Sequence, residues 1–157
     1  MKRSLVFSVQ EISDRDGLSL KERLEPDAFP MREVGAKLAG PLAVELDFSV
    51  GASLMLLSGQ FEGLWEVECS RCLKPFRSSF RGRLDETYPL ETPEIDAGEE
   101  IRQGMVLELP VQPLCSPACK GLCPQCGKNL NEGPCACRSE KPSPFAKLKN
   151  LERPKGP

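Results

Sequence analysis

Leu42-Ala43-Val44-Glu45-Leu46-Asp47-Phe48-Ser49-Val50 alternates apolar and polar residues without a break. Successive side chains of a strand point to opposite faces, so this pattern predicts a strand with one face buried and the other in water. The pattern continues beyond it. After Gly51-Ala52 a long strand is predicted, ending with Phe61, Trp65, Val67 and Cys69 on one face and Gln60, Glu62, Glu66 and Glu68 on the other. Gly59 and Gly63 fall on the inward parity, where glycine commonly marks a bulge or bend. Past a turn at Ser70–Pro75, Phe76, Phe80, Leu84 and Tyr88 alternate with Arg77, Ser79, Arg81, Arg83 and Asp85. Three such segments joined by short turns predict an antiparallel meander. Glutamates on one strand then stand beside arginines on the next, so cross-strand ion pairs are the plain reading of those arginines.

Outward from the meander the signals are shorter. Leu5, Phe7 and Val9 alternate with Ser8 and Gln10, predicting a first strand over Leu5–Ile12. After a turn at Asp14–Gly17, Ser19 and Glu22 have capping-box spacing and predict a short helix ending before Pro26. Pro30–Gly40 carries no clear pattern, and Glu91–Gly98 reads as an acidic, Pro-containing loop. Asp96 and Glu99 again have capping spacing. Ile101, Met105, Val106 and Leu109 share one helical side before Pro110 stops the helix, which is expected to pack on the meander. The fold class expected is α+β and β-rich: an antiparallel meander, one packed helix and a C-terminal cysteine-rich appendage stapled by zinc. Residues 1–114 would form the core domain, 115–138 the zinc-binding segment and 139–157 a basic, largely flexible tail.

The need for a staple follows from Cys115–Cys137. This stretch holds six of the eight cysteines and few large apolar residues beyond Leu122 and Leu130. Ordering a residue costs about 1–2 kcal/mol of backbone entropy, and so little apolar surface cannot return it. A cross-link must hold the shape. The chain's opening apolar run is interrupted by Ser8 and stops at Glu11, too short for a signal peptide, and no stretch approaches the roughly 18 apolar residues of a membrane span. A cytoplasmic protein without a membrane partner is expected. In a reducing compartment thiols favour metal over disulfides.

Cys69-Ser70-Arg71-Cys72 sits at a meander turn, and Cys123-Pro124-Gln125-Cys126-Gly127 is a turn of the same type. Such a turn brings two thiolates to one cation, with Gly127 free to take the positive φ that closes it. The chain has no histidine, so all-thiolate sites are expected. By sequence reach, Cys123, Cys126, Cys135 and Cys137 close one site, leaving Cys69 and Cys72 to meet Cys115 and Cys119. Two structural zinc ions are the reading, with Arg71, Lys74, Lys120, Lys128 and Arg138 placed to offset the negative charge. One zinc with four spare thiols stays open. An iron–sulfur enzyme and a thioredoxin-like thiol enzyme are weaker rivals, the first for the chain's shortness and the second for want of a βαβ setting. Catalytic zinc usually keeps a position for water, and the cluster offers no carboxylate beyond Glu132 to shape one, so no enzyme and no small-molecule substrate are expected.

The formal net charge of −2 conceals segregation along the chain. Eight acids and one arginine lie between Leu84 and Glu108, whereas Arg71, Lys74, Arg77, Arg81 and Arg83 follow one another with no acid between Ser70 and Arg83. Those five cations are the candidate contacts for a polyanion such as RNA. Ordinary solvated faces are the alternative.

The combination of Cys69-Ser70-Arg71-Cys72-Leu73 with Pro75-Phe76, Leu107-Glu108-Leu109-Pro110, Leu114-Cys115-Ser116-Pro117-Ala118-Cys119-Lys120-Gly121-Leu122-Cys123-Pro124-Gln125-Cys126-Gly127-Lys128-Asn129-Leu130-Asn131 and Pro144-Phe145-Ala146-Lys147-Leu148 resembles the large ribosomal RNA subunit accumulation protein (YceD) family of bacteria and plastids. The resemblance spans about Leu42 to Leu151. It implies a non-enzymatic factor needed for accumulation of large-subunit (23S) ribosomal RNA. The partners it implies are that rRNA or a pre-ribosomal particle, and a large-subunit ribosomal protein is a further candidate. Some members of the family lack the later cysteines, which implies that the site on Cys123, Cys126, Cys135 and Cys137 is an addition to a shared core. A zinc-stabilised adaptor that binds only protein is the alternative function.

Overall fold

The alternation over residues 42–88 becomes three strands of one antiparallel sheet. In the computed structural model, which describes residues 5–29 and 35–137, the elements in chain order are β1 (Val6–Ser8), α1 (Val9–Ser13), β2 (Leu18–Leu24), a single 3-10 turn at Pro26–Ala28, β3 (Lys37–Leu38), β4 (Leu42–Val50), β5 (Leu54–Glu68), β6 (Pro75–Pro89), β7 (Glu94–Asp96) and α2 (Ala97–Leu107). β5 is the central strand. It pairs with β6 along its whole length, and its other edge takes β4 and then the short β3, with β2 outside β4. β1 and β7 form a separate two-stranded ladder. The fold is thus strand-rich and antiparallel, with one main helix and six of the eight cysteines gathered in the segment after it.

The inward parity is the predicted one. Leu42, Val44, Leu46 and Phe48 of β4, Phe61, Trp65 and Val67 of β5, and Phe80 and Leu84 of β6 are buried together, and Ile101 and Met105 of α2 join the same core. Trp65 stacks on Phe80 with ring centroids 4.4 Å apart. A fully buried side chain of this size contributes about 1.5–3 kcal/mol, so this face drives the fold. Asp96 caps α2 by accepting hydrogen bonds from the N–H groups of Gly98 and Glu99 at 3.0 and 3.2 Å.

The glycines of the meander are not bulges. The β4–β5 and β5–β6 registers run unshifted through Gly59, opposite Leu46 and Leu84, and through Gly63, opposite Phe80. Gly59 instead makes room for the Glu45 carbonyl and the Leu46 side chain, and Gly63 for the Phe80 ring. A Cβ on Gly82 would lie 2.2 Å from Phe61 Cζ, and one on Gly104 of α2 would lie 2.8 Å from the same atom. Missing side chains on β6 and α2 therefore let the helix close over Phe61.

Three expectations at the periphery fail. The strand over Leu5–Ile12 stops at Ser8, whose hydroxyl accepts the Glu11 N–H and opens α1, with Val9 and Ile12 buried one turn apart. Leu18–Leu24 is a strand and not a helix: Leu18, Leu20 and Leu24 alternate inward, and the segment pairs with the edge of β4 from Leu18 opposite Phe48 to Leu24 opposite Leu42. Ser19 spends its hydroxyl on Asp47 across that ladder and caps nothing. The predicted loop at Glu91–Gly98 contains β7, held by buried Ile95 opposite Phe7. In each case a few residues gain a partner strand or core contact that local propensity does not reveal. Arg138 and the tail, with Phe145, Leu148 and Leu151, lie outside the described residues. No helix among the described residues is long and apolar enough to cross a membrane.

Candidate metal centres

β5 and β6 meet in a turn at Cys69–Cys72 that recurs at Cys123–Cys126 in the chain's cysteine-rich segment. In the first turn the Cys69 N–H donates to the Lys74 carbonyl (3.0 Å) and the Leu73 N–H to the Cys69 carbonyl (2.9 Å). In the second, the Cys123 N–H donates to Lys128 (2.8 Å) and the Gly127 N–H to Cys123 (2.9 Å). The residue after the second cysteine has positive φ in both, +59° at Leu73 and +72° at Gly127. Glycine adopts this conformation freely, whereas a side chain strains it. The sequence pointed to Gly127; Leu73 was missed, although its position relative to Cys72 was the available signal.

Each turn presents two thiols to two more. The sulfurs of Cys69, Cys72, Cys115 and Cys119 all lie within 4.8 Å of one another, and so do those of Cys123, Cys126, Cys135 and Cys137. All eight are free thiols. These are the two groups that reach along the sequence had separated. Four sulfurs bound tetrahedrally at about 2.3 Å from one ion would be about 3.8 Å apart. Cys69 and Cys119 are separated by 3.8 Å, and Cys72 and Cys115 by 3.6 Å. The donor set and its spacing fit a tetrahedral, thiophilic cation, so each quartet could hold a metal ion.

The first quartet ties the meander to the segment after α2. Cys69, Cys72 and Cys119 are buried while Cys115 is exposed. Phe76, Leu114 and Leu122 pack around them. Hydrogen bonds cross between the segments from Ser70 N–H to the Pro113 carbonyl (2.8 Å), from Leu122 N–H to the Arg71 carbonyl (3.1 Å), and from Arg71 Nη1 to the Cys119 carbonyl (2.9 Å). The second quartet is more open, with only Cys123 buried. It leans on the first through the Leu130 N–H, bonded to the Gly121 carbonyl at 2.9 Å, and through the Lys74–Glu132 ion pair.

The thiols are electrostatically frustrated as they stand. The Cys115 N–H draws Cys69 down to about 6, and the Cys126 N–H draws Cys123 down to about 6. Neighbouring Cys72 pushes Cys115 up to about 12, and Cys126 does the same to Cys137. Sulfurs this close cannot all ionise unless a cation offsets their charge. With four thiolates bound, a tetrahedral ion has no position left for water, and Glu132 is committed to Lys74.

The five candidate RNA contacts separate in the structure. Arg71 is bound to the Cys119 carbonyl, Lys74 to Glu132, and Arg81 to Glu62 at 2.6 Å. Arg77 and Arg83 are exposed and form no ion pair among the described residues; Glu66 and Gln60 stand opposite them. The outer sheet face is laid out in rungs. Lys21, Glu45, Gln60 and Arg83 make one, with Lys21 on Glu45 at 2.9 Å; Arg23, Ala43, Glu62 and Arg81 make the next; Lys37, Glu66 and Arg77 make the third. Each rung sets a glutamate between cations. A concavity of this face, lined by Ser19, Lys21, Glu45, Asp47, Gln60 and Arg83 among others, spans the first rung and its neighbour.

Comparison with known proteins bears out the resemblance read from the sequence. Residues 82–152, which include six of the eight cysteines, match the family model of the large ribosomal RNA subunit accumulation protein YceD. The chain is 43% identical over 65 residues to the chloroplastic large ribosomal RNA subunit accumulation protein YCED homolog 1 of Arabidopsis thaliana, covering 41% of this chain and 20% of that protein. The Zea mays homolog 1 is 37% identical over 65 residues, covering 41% and 22%. An uncharacterized protein of Mycobacterium tuberculosis is 37% identical over 118 residues, covering 64% of this chain and 56% of the relative. The chain thus spans between a fifth and just over half the length of these relatives. No solved structure matches it.

Proposed function

We propose that this chain is a non-enzymatic ribosome-biogenesis factor that supports accumulation of large-subunit (23S) ribosomal RNA in the cytoplasm, with two structural zinc ions. The observation that carries the reading is that the stretch matching the family, residues 82–152, includes six of the eight thiols drawn into two all-sulfur quartets. Zinc is favoured because it takes four thiolates tetrahedrally without redox chemistry. The ligands are Cys69, Cys72, Cys115 and Cys119 for one ion, and Cys123, Cys126, Cys135 and Cys137 for the other. In this reading residues 1–114 are the core domain, 115–138 the zinc-binding segment and 139–157 the basic tail.

The proposed partner is large-subunit rRNA or a pre-ribosomal particle. Of the five candidates, Arg77 and Arg83 are the best placed for phosphate, since Arg71, Lys74 and Arg81 already hold internal partners. The rungs favour a second reading, a zinc-stabilised adaptor bound only to protein, because a glutamate between cations lowers the attraction of the face for a polyanion. One experiment tests the function and another the mode. Removing the protein from its host should lower mature large-subunit rRNA relative to small-subunit rRNA, and resupplying it should restore the ratio; an unchanged ratio contradicts the proposal. Salt-titrated binding of purified protein to large-subunit rRNA then separates direct contact from the adaptor reading.

A further inference from the structure

The loop between Cys126 and Cys135, two residues of the second quartet, carries a side chain that reaches the first. Asn131 Nδ2 donates to Cys119 Sγ at 3.3 Å and to Asn129 Oδ1 at 2.8 Å, while Asn131 Oδ1 accepts the Lys120 N–H at 2.8 Å. The amide orientation is fixed by these partners. Turned over, it would set its oxygen against a thiolate and another carbonyl oxygen, and its NH2 group against a backbone N–H. An N–H on a ligand sulfur offsets charge and holds the thiolate on the ion, which is the role of outer partners at metal sites. The loop that supplies it is closed at both ends by ligands of the other site.

We propose that Asn131 couples the two centres: filling the second fixes the loop, the loop holds Asn131 on Cys119, and the first centre binds its ion more tightly. By linkage, filling the first must strengthen the second by the same factor. The two sites therefore act as one cooperative unit. This inference rests on the zinc reading. Asn131 is a positioning residue, since it touches a ligand and not the ion.

The test is competition for zinc between the full-length protein and a chelator of known affinity, with Trp65 fluorescence confirming folding. Asn131→Asp keeps the acceptor for the Lys120 N–H and loses the donor to sulfur. It should weaken the first centre by about 10–100-fold, and Asn131→Ala should do at least as much. Cys135→Ser, which opens the second centre, should also weaken the first in the native background but cost it nothing further beside Asn131→Asp. First-centre affinity within about twofold of wild type in both Asn131 variants would overturn the coupling, as would an undiminished effect of Cys135→Ser in the Asn131→Asp background. Wild-type protein that takes up fewer than two zinc ions overturns the zinc reading and the coupling with it; two ions with unchanged Asn131 variants overturn the coupling alone.

Discussion

Leu73 and Gly127 hold the same place in two copies of one turn, each following the second cysteine of a Cys-x-x-Cys pair with φ of +59° and +72°. Leu73 is 59% exposed, so burial does not compensate its backbone strain. Leu73→Gly should leave stability unchanged or raise it by up to about 1 kcal/mol, strain relief being partly offset by the entropy of an unfolded glycine. Leu73→Val should lose about 1–2 kcal/mol, because a branched Cβ is poorly tolerated there. Urea unfolding measures both; a stabilised Val variant or a strongly destabilised Gly variant contradicts the shared geometry.

Gly82 and Gly104 bracket Phe61. A methyl at Gly82 has no space without moving that ring, so Gly82→Ala should cost about 1–3 kcal/mol through overpacking. The cost should shrink in a Phe61→Leu background, where the offending ring is gone. Equal costs in both backgrounds, read by denaturant unfolding, would show that Phe61 is not the obstacle.

The arginines of β6 should separate in function. Arg81→Gln breaks the exposed pair with Glu62, for which about 0–1 kcal/mol of stability is expected, and should leave RNA affinity unmoved. Arg77→Gln and Arg83→Gln should each lower the slope of log affinity against log salt by about 0.7–1. If RNA binds and neither affinity nor slope moves in the folded double variant, these arginines are not phosphate contacts.

Tyr88 is the chain's one tyrosine, so its ionisation can be followed by phenolate absorbance. Burial, and then the Glu100 carboxylate that accepts its hydroxyl at 2.8 Å, raise its pKa above the ordinary value. The native state thus holds the proton more tightly than the unfolded chain. Its contribution to stability is complete below about pH 10 and is lost as pH rises from there through the higher folded value. Tyr88→Phe should flatten this alkaline decline. Phenolate appearing near pH 10 in protein that remains folded contradicts the burial.

The meander was legible because its strands bury one whole face: period two over Leu42–Val50, and inward parity from Phe61 to Tyr88, leave no other register. The quartets were legible because close sequence spacing limits which thiols can meet. The failures share a cause. Ser19 and Glu22 have the spacing of a cap, but the segment's fate is decided by the open edge of β4, which no local window contains. Ser8 and Ile95 likewise act through contacts far along the chain. Leu73 and Asn131 escaped notice because neither residue type is a ligand, and their roles depend on a turn and a loop seen only in three dimensions.

The central claim is that the chain folds around two thiolate metal centres, and elemental analysis of anaerobically purified protein tests it most directly. The account predicts about two zinc ions and negligible iron per wild-type chain, and about one zinc in Cys135→Ser, whose second centre is open while the centre joining β5 and β6 to the C-terminal segment remains. A single zinc in the wild type, or stoichiometric iron with visible absorbance, would contradict it.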